Sequence, residues 1–390
     1  MRLLHTSDWH LGRPLHGQPL LDAQGAFVDF LVEVVRDQGV DAVLVAGDVY
    51  DRAIPPVEAV ELFDRALARL AALGVPVVII SGNHDSAGRL GFGSGFFRDA
   101  GVHLRTAPGV VAPVLFTDAH GSVAVYPIPY LEPELTWAAL EAVGPRHDAV
   151  LLAAMQQVRA DIATQQPGTR TVVVAHAFVG NLGEAELSES ERDITVGGSA
   201  IVPAAVFDGV DYVALGHLHG FQRPAVDRVT YSGSPIAYSF SEARSVKSVS
   251  IVELDAAGSV SLERIPCPVE RPLACITGTL ESLLVDPQWA EYERHWLAVT
   301  LTDPELPTEP MGRLRERFSG VLQLTVAARR SDSAGSYQDR FRGLDDLGMA
   351  DRFVADMRHR PPTEEESTLF RAAFEALRVD AARVGVEVAG

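Results

Sequence analysis

Cysteine is nearly missing. Cys267 and Cys275 are the only two in 390 residues, and neither has a second Cys at metal-binding spacing. A thiolate metal centre is therefore excluded, and the thiols read as isolated core or surface residues, with a disulfide as the lesser alternative. Lysine is scarcer still: Lys247 is the only one. Positive charge as a whole is short, with 33 Lys and Arg against 52 Asp and Glu and a formal net charge of −19. That excludes the broad basic face typical of a nucleic-acid binder. It leaves a local site where bound cations and a few arginines meet phosphate, or a partner that supplies basic surface. No apolar run reaches the ~20 residues that span a bilayer. No basic region followed by an apolar core and a small-residue cleavage site opens the chain, so a cytoplasmic protein with no membrane contact is expected. A P-loop is also lacking. Lys247-Ser248 is the only Lys-Ser pair, and Ser241 and Val246 stand where that loop needs glycines. The chain has no ATP site of its own.

What is present is a balanced globular composition, 47% hydrophobic and 22% charged, at a length that predicts two or three domains. Buried-strand and helix patterns alternate along the first half. Met1 to His10 is an apolar strand ending in Asp8 and His10, which in extended chain point the same way. Ala23–Gln38 is an amphipathic helix closed by Gly39. Val40–Ala46 is a β-branched run that ends in Gly47-Asp48-Val49-Tyr50-Asp51. A helix over Pro56–Leu73 and a strand over Val75–Ile80 follow, then Gly82-Asn83-His84-Asp85. Later strands, Thr171–Ala175 and Val210–Leu215, deliver His176 and Gly216-His217-Leu218-His219.

Alternating strands and helices predict a layered α/β domain, and ligands of such sheets gather at the carboxyl ends of strands. Any one of these polar clusters is compatible with ordinary turn chemistry; their repetition at successive strand ends is not. The residues collected there are Asp8, His10, Asp48, Asn83, His84, His176, His217 and His219. Oxygen and imidazole donors without thiolate suit Mn, Fe or Zn. They are too many for one ion, so two ions about 3.5–4 Å apart are expected, with Asp48 the natural bridge.

These motifs, Asp-x-His, Gly-Asp-x-x-Asp, Gly-Asn-His-Asp, a strand-end His and Gly-His-x-His in this order, resemble the calcineurin-like metallophosphoesterase superfamily. Thr6-Ser7-Asp8-Trp9-His10-Leu11-Gly12, Ala214-Leu215-Gly216-His217-Leu218-His219 and Ser232-Gly233-Ser234-Pro235 narrow the resemblance to the SbcD family of bacterial nuclease subunits. The resemblance is close over the first 265 residues and concerns layout alone beyond them. It implies a layered β-sandwich metallophosphoesterase core flanked by helices, a small α/β capping domain and a C-terminal helical segment. It implies that Asp8, His10, Asp48 and His219 hold one ion, and that Asp48, Asn83, His176 and His217 hold the other. His217 and His219 are interchangeable between the two at this level. His84 matches the family's catalytic histidine, which is not a ligand. Asp51 and Asp85 would orient loops or ligands. Archaeal members carry His at the position of Asp51, so no DNA-handling role is carried onto that residue. The implied cofactors are two Mn²⁺ per chain, with Mg²⁺, Fe²⁺ or Zn²⁺ as alternatives.

The same resemblance implies domains over 1–268 (nuclease), 269–336 (capping, DNA-binding) and 337–390 (binding the ATPase partner). A Pro-rich boundary at Cys267–Pro272 agrees with the first division. The implied partners are DNA ends and an SbcC-type coiled-coil ATPase, within a heterotetramer built on a homodimer of this chain. Leu369, Phe370, Phe374 and Leu377 have near-helical spacing and would anchor a helix in a groove of that ATPase; packing on their own domain is the plain alternative. Phe63, Leu67 and Leu90–Phe97 are candidates for the homodimer contact, with core as the alternative. Metal-dependent cleavage of DNA phosphodiesters is the expected activity. A phosphomonoesterase or cyclic-nucleotide phosphodiesterase on the same core, and a non-catalytic DNA-end tether, are the alternatives.

Overall fold

The computed structural model describes residues 1–109, 112–180, 188–191, 201–224, 227–327, 344–358 and 360–387. The chain divides into two units, Met1–Ala327 and Ala328–Gly390.

In the first unit the strands are β1 (Arg2–Thr6), β2 (Ala42–Ala46), β3 (Val77–Ile80), β4 (Val102–Arg105), β5 (Val114–Asp118), β6 (Gly121–Ile128), β7 (Arg170–His176), β8 (Tyr212–Gly216), β9 (Val229–Tyr231), β10 (Ser248–Leu254) and β11 (Val260–Pro266). They form a six-stranded sheet in the order β11-β10-β1-β2-β3-β4 and a five-stranded sheet in the order β5-β6-β7-β8-β9. β1 to β4 run parallel, as do β6 to β9. β10 and β11 close one edge of the larger sheet antiparallel.

The residues of β2 explain the layering. Val43 and Val45 face helices α1 (Leu21–Asp37) and α2 (Val57–Ala72). Ala42, Leu44 and Ala46 face the other sheet, against Val172, Val174 and Ala214. β7 alternates likewise, its Val173 and Ala175 lying under α3 (His147–Ile162). Strands buried on both faces must be apolar at every position, which is why β2 and β7 read as β-branched runs. The result is four layers, helices on two packed sheets, in agreement with the expected sandwich. β9 is the last strand of the five-stranded sheet. It pairs parallel to β8, because the chain returns across the sheet between Gly216 and Val229.

Phe63 and Leu67 are corrected from subunit contact to core. They lie on the buried stripe of α2, where Phe63 meets Trp9 and Tyr50 edge-on at 6.3 and 5.5 Å. Leu90 is buried too, whereas Phe92 and Phe96 are exposed.

Beyond Pro272, β12 (Leu273–Gly278), β13 (Trp296–Leu301) and β14 (Val321–Val326) form a parallel three-stranded sheet. Helices Leu280–Val285 and Pro310–Arg317 cover it around Leu297, Val299, Leu314 and Phe318. In the second unit, helices Asp346–Arg358 and Glu364–Glu387 are described. Thr363 starts the latter with a reciprocal cap. Its hydroxyl accepts the Glu366 N–H at 3.3 Å, and the Glu366 carboxylate accepts the Thr363 N–H at 2.7 Å. Leu369 is exposed and Phe370 and Phe374 are half-buried; the side chain of Leu377 lies outside the described residues. No helix among the described residues is long and apolar enough to cross a membrane.

One ion pair pins the sandwich at the end opposite the strand-end histidines. The Arg170 guanidinium is buried and donates to Asp118 at 3.0 Å and to the Gly121 carbonyl at 3.0 Å. Those bonds hold the Asp118 carboxyl well below the usual carboxylate range, against the opposing effect of burial. A depressed folded-state value stabilises above the unfolded value of ~3.9 and is lost as pH falls through the folded one. Asp118→Asn is therefore expected to cost about 3 kcal/mol at neutral pH, because it strands a buried guanidinium. In thermal melts the gap to wild type should close as pH drops below about 4.

Candidate metal centre

The parallel registers bring the carboxyl ends of β1, β2, β3, β7 and β8 to one edge of the sandwich. Beyond Thr6 the chain does not stay extended, as simple alternation would have it. Asp8 and His10 adopt left-handed backbone, with φ of 53° and 44°. Asp48 (49°) and His217 (113°) do the same. Of the described non-glycine residues with positive φ, these four lie at the site and three, His16, Glu141 and Glu309, lie elsewhere. Such conformations cost roughly 1–3 kcal/mol each and persist only where surrounding bonds impose them. Here the Asp8 and His10 N–H groups donate to Gly47 and Asp48 carbonyls, both at 3.0 Å. Trp9, between them, points away into the core, edge-on to Phe27 at 5.6 Å. Gly47 has no room for a side chain, since a Cβ would sit 2.9 Å from the Gly82 nitrogen and closer to the His176 ring. The β2 and β3 loops can thus close on His176.

The side chains then converge. His10 Nε2 and His219 Nε2 face each other at 3.0 Å, and Asp8, His10 and His219 present ligand atoms within 4.8 Å of one another. His176 Nε2 and His217 Nδ1 lie 2.9 and 3.2 Å from the Asn83 side-chain oxygen. Asp48 Oδ2 stands between these sets, 3.7 Å from His10 Nε2 and 3.5 Å from His176 Nε2. His84 sits beside them, its ring centroid 4.7 Å from that of His10.

Residues 1–221 match the family model described as calcineurin-like phosphoesterase. The chain belongs to that family. It is a metallophosphoesterase-type hydrolase, of a fold that binds divalent metal ions. Residues 269–358 match a second model, SbcD C-terminal, described as the type 5 capsule protein repressor C-terminal domain. Among solved structures the chain resembles TT1561 of Thermus thermophilus at 13% identity, over 67% of this chain and 98% of that one, with a TM-score of 0.38. It resembles a novel archaeal phosphodiesterase at 13% identity over 68% and 100%, TM-score 0.31. It also resembles the phosphoesterase Yfce from E. coli at 12% identity over 69% and 100%, TM-score 0.26. The two family models, rather than these distant structures, carry the assignment.

In this calcineurin-like phosphoesterase the donor set fits divalent ions. Burial lowers the pKa of His10, His176, His217 and His219, so all four are neutral imidazoles with lone pairs to give. Burial and the nearby Asp48 push the Asp8 carboxyl well above its ordinary range. Two buried carboxylates side by side are stable as anions only with a cation between them. Asn83 Nδ2 and His10 Nδ1 are buried without a hydrogen-bond partner among the described residues.

Bonds behind the donors aim them. His176 Nδ1 donates to the Ala46 carbonyl at 2.9 Å, which turns its Nε2 towards Asn83 and Asp48. Asp85 accepts N–H bonds from Gly82, Val49 and Tyr50 at 2.9–3.1 Å. It thereby clamps the β3 loop to the β2 loop; burial pushes its carboxyl up to about 7. The Asp51 carbonyl accepts from His84 Nδ1 at 2.7 Å, while the Asp51 carboxylate lies 3.6 Å from Arg13.

Several neighbours carried no local signal. Gln24, buried on α1, donates to the His10 carbonyl at 2.9 Å. In the acidic stretch Glu184–Asp193, Ser190 is buried and Glu191 half-buried. Ser190 Oγ lies 2.6 Å from His219 Nδ1, and the Glu191 carboxylate accepts the His219 N–H at 2.7 Å. The rest of that stretch, 184–187 and 192–193, lies outside the described residues. Glu242 and Lys247 form a buried ion pair behind them. Only Lys247 announced itself in the sequence, as the sole lysine.

Proposed function

We propose that this chain is the nuclease subunit of an SbcCD-type complex, hydrolysing DNA phosphodiesters in repair and recombination. Its activities would be double-strand 3′-5′ exonuclease and single-strand or hairpin endonuclease. One observation carries this choice among phosphoesterases: the match of residues 269–358 to the SbcD C-terminal model, on the C-terminal side of the phosphoesterase match over 1–221. Residues 1–268 would then be the nuclease domain, 269–336 the capping domain and 337–390 the arm for the ATPase partner.

In this reading Asp8, His10, Asp48 and His219 hold one ion, and Asp48, Asn83, His176 and His217 hold the other, with Mn²⁺ the favoured metal. The position of Asp48 Oδ2 between His10 and His176 supports its bridging role. Bound divalent ions supply charge neutralisation of the phosphodiester and activation of water. The chain's own contribution centres on His84. With Nδ1 committed to the Asp51 carbonyl, Nε2 is the nitrogen left to steady a phosphate oxygen and to protonate the leaving oxygen. The His84 N–H donates to Asp48 Oδ1 at 2.9 Å, which ties the acid to the bridging carboxylate. Asp85 holds that loop in register.

Purified chain with Mn²⁺ is expected to shorten linear duplex DNA in a gel assay. Intact DNA alongside rapid hydrolysis of a small phosphomonoester would overturn the nuclease reading. Deleting residues 362–390 is expected to abolish capture of the coiled-coil ATPase in pull-down while Mn²⁺-dependent cleavage persists. Capture at full-length strength would reject the roles of Leu369, Phe370, Phe374 and Leu377.

A further inference from the structure

The single lysine is buried under the metal centre. Lys247 directly precedes β10, and its ammonium donates to the His219 carbonyl at 2.9 Å, to Ser234 Oγ at 3.0 Å and to the Glu242 carboxylate. The other oxygen of Glu242 accepts from Ser190 Oγ. Ser190 Oγ in turn sits 2.6 Å from His219 Nδ1. Every link in this chain is buried.

We propose that Lys247 is a positioning residue for His219, acting through Glu242 and Ser190 on the ring and directly on the backbone carbonyl. This rests on His219 being a metal ligand, as set out above. Glu242 cannot donate, so Ser190 must direct its hydroxyl proton at Glu242 and offer its lone pair to His219 Nδ1–H. The imidazole is thereby held in the Nδ1–H form, and Nε2, facing His10, is left bare for an ion. The ammonium anchors the far end of the chain. It also fixes the carbonyl of the same residue, which the Ser234 N–H bonds at 3.1 Å. His219 is gripped at its ring, its carbonyl and its N–H.

The choice of lysine supports this. The chain has 33 Lys and Arg, of which one is Lys, so arginine is used at every other cationic position. An ammonium is compact and presents three donors in three directions, matching a carbonyl, a hydroxyl and a carboxylate placed around it. A guanidinium is a broader planar fork and does not fit those three acceptors in a buried space.

The test compares wild type with Lys247→Arg, Lys247→Met and the neutral pair Lys247→Met with Glu242→Gln. The last guards against simple misfolding from an unpaired buried carboxylate, and melting curves identify which variants are folded. In metal-free protein, side-chain nitrogen NMR should show His219 as the Nδ1–H form in wild type and a mixture of forms in folded Lys247→Arg. Mn²⁺ titration by calorimetry should show about 10–100-fold weaker binding in the variants, the usual effect of losing a residue that orients a ligand. Folded Lys247→Arg with the wild-type form and wild-type affinity would overturn the proposal. A wild type that binds no Mn²⁺ would instead overturn the metal assignment of His219, leaving the NMR result to decide the role of Lys247.

Discussion

His84→Ala is expected to lose about 10²–10⁴-fold in kcat, the usual worth of a positioned general acid, with metal content unchanged. His84 is not required to complete either proposed ligand set, and its Nδ1 is spent on the Asp51 carbonyl. Its backbone N–H, which bonds Asp48 at 2.9 Å, survives the substitution, so the bridging carboxylate stays in place. Removing the ring should therefore remove proton donation and phosphate steadying alone. Steady-state kinetics on a DNA substrate, with metal content by elemental analysis, checks this. A leaving group with a low pKa should recover part of the loss, because it needs less protonation. Loss of metal along with activity would make His84 a ligand and overturn its assignment.

Asp8→Asn is expected to abolish hydrolysis through the metal instead. In the metal-free protein Asp8 is buried beside Asp48, so its charge is a liability. A neutral amide of the same shape can still accept the His217 N–H that Asp8 now accepts at 3.0 Å. The metal-free variant should thus melt no lower than wild type. With Mn²⁺ the order reverses. A ligand at 100 times its Kd stabilises by ~2.7 kcal/mol, and the variant should lose most of that shift. Calorimetric melts with and without Mn²⁺ read both halves. A variant that keeps the full Mn²⁺ shift and its cleavage would remove Asp8 from the ligand set.

The layered α/β core was legible because its signals are local. A strand buried on both faces is apolar at each position, and Gly, Asp, Asn and His at its carboxyl end stand out against it. For that reason Asp8, Asp48, Asn83, His176 and His217 could be collected from the chain's residue pattern alone. The geometry at Asp8 and His10 was less legible. Alternation in an extended strand puts both side chains on one side, whereas the chain reaches that result by left-handed turns imposed by bonds from the Asp8 and His10 N–H groups to the Gly47 and Asp48 carbonyls. The direction of β9 depended on a crossover that composition does not reveal. Phe63 and Leu67 show the converse ambiguity: an apolar stripe on a helix looks the same whether a sheet or a second subunit covers it.

The sequence by itself determined which chemical groups stand at the strand ends, and so the class of reaction, since donor types and their spacing are written in consecutive residues. Only the tertiary structure decided what aims those groups. Gln24 reaches His10, and Ser190, Glu191 and Lys247 reach His219, across 14 to 29 residues of chain by hydrogen bonds, while Glu242 is bonded to Ser190 across 52. A bond between distant segments depends on how the sheets pack, and it leaves no pattern in the residues on either side.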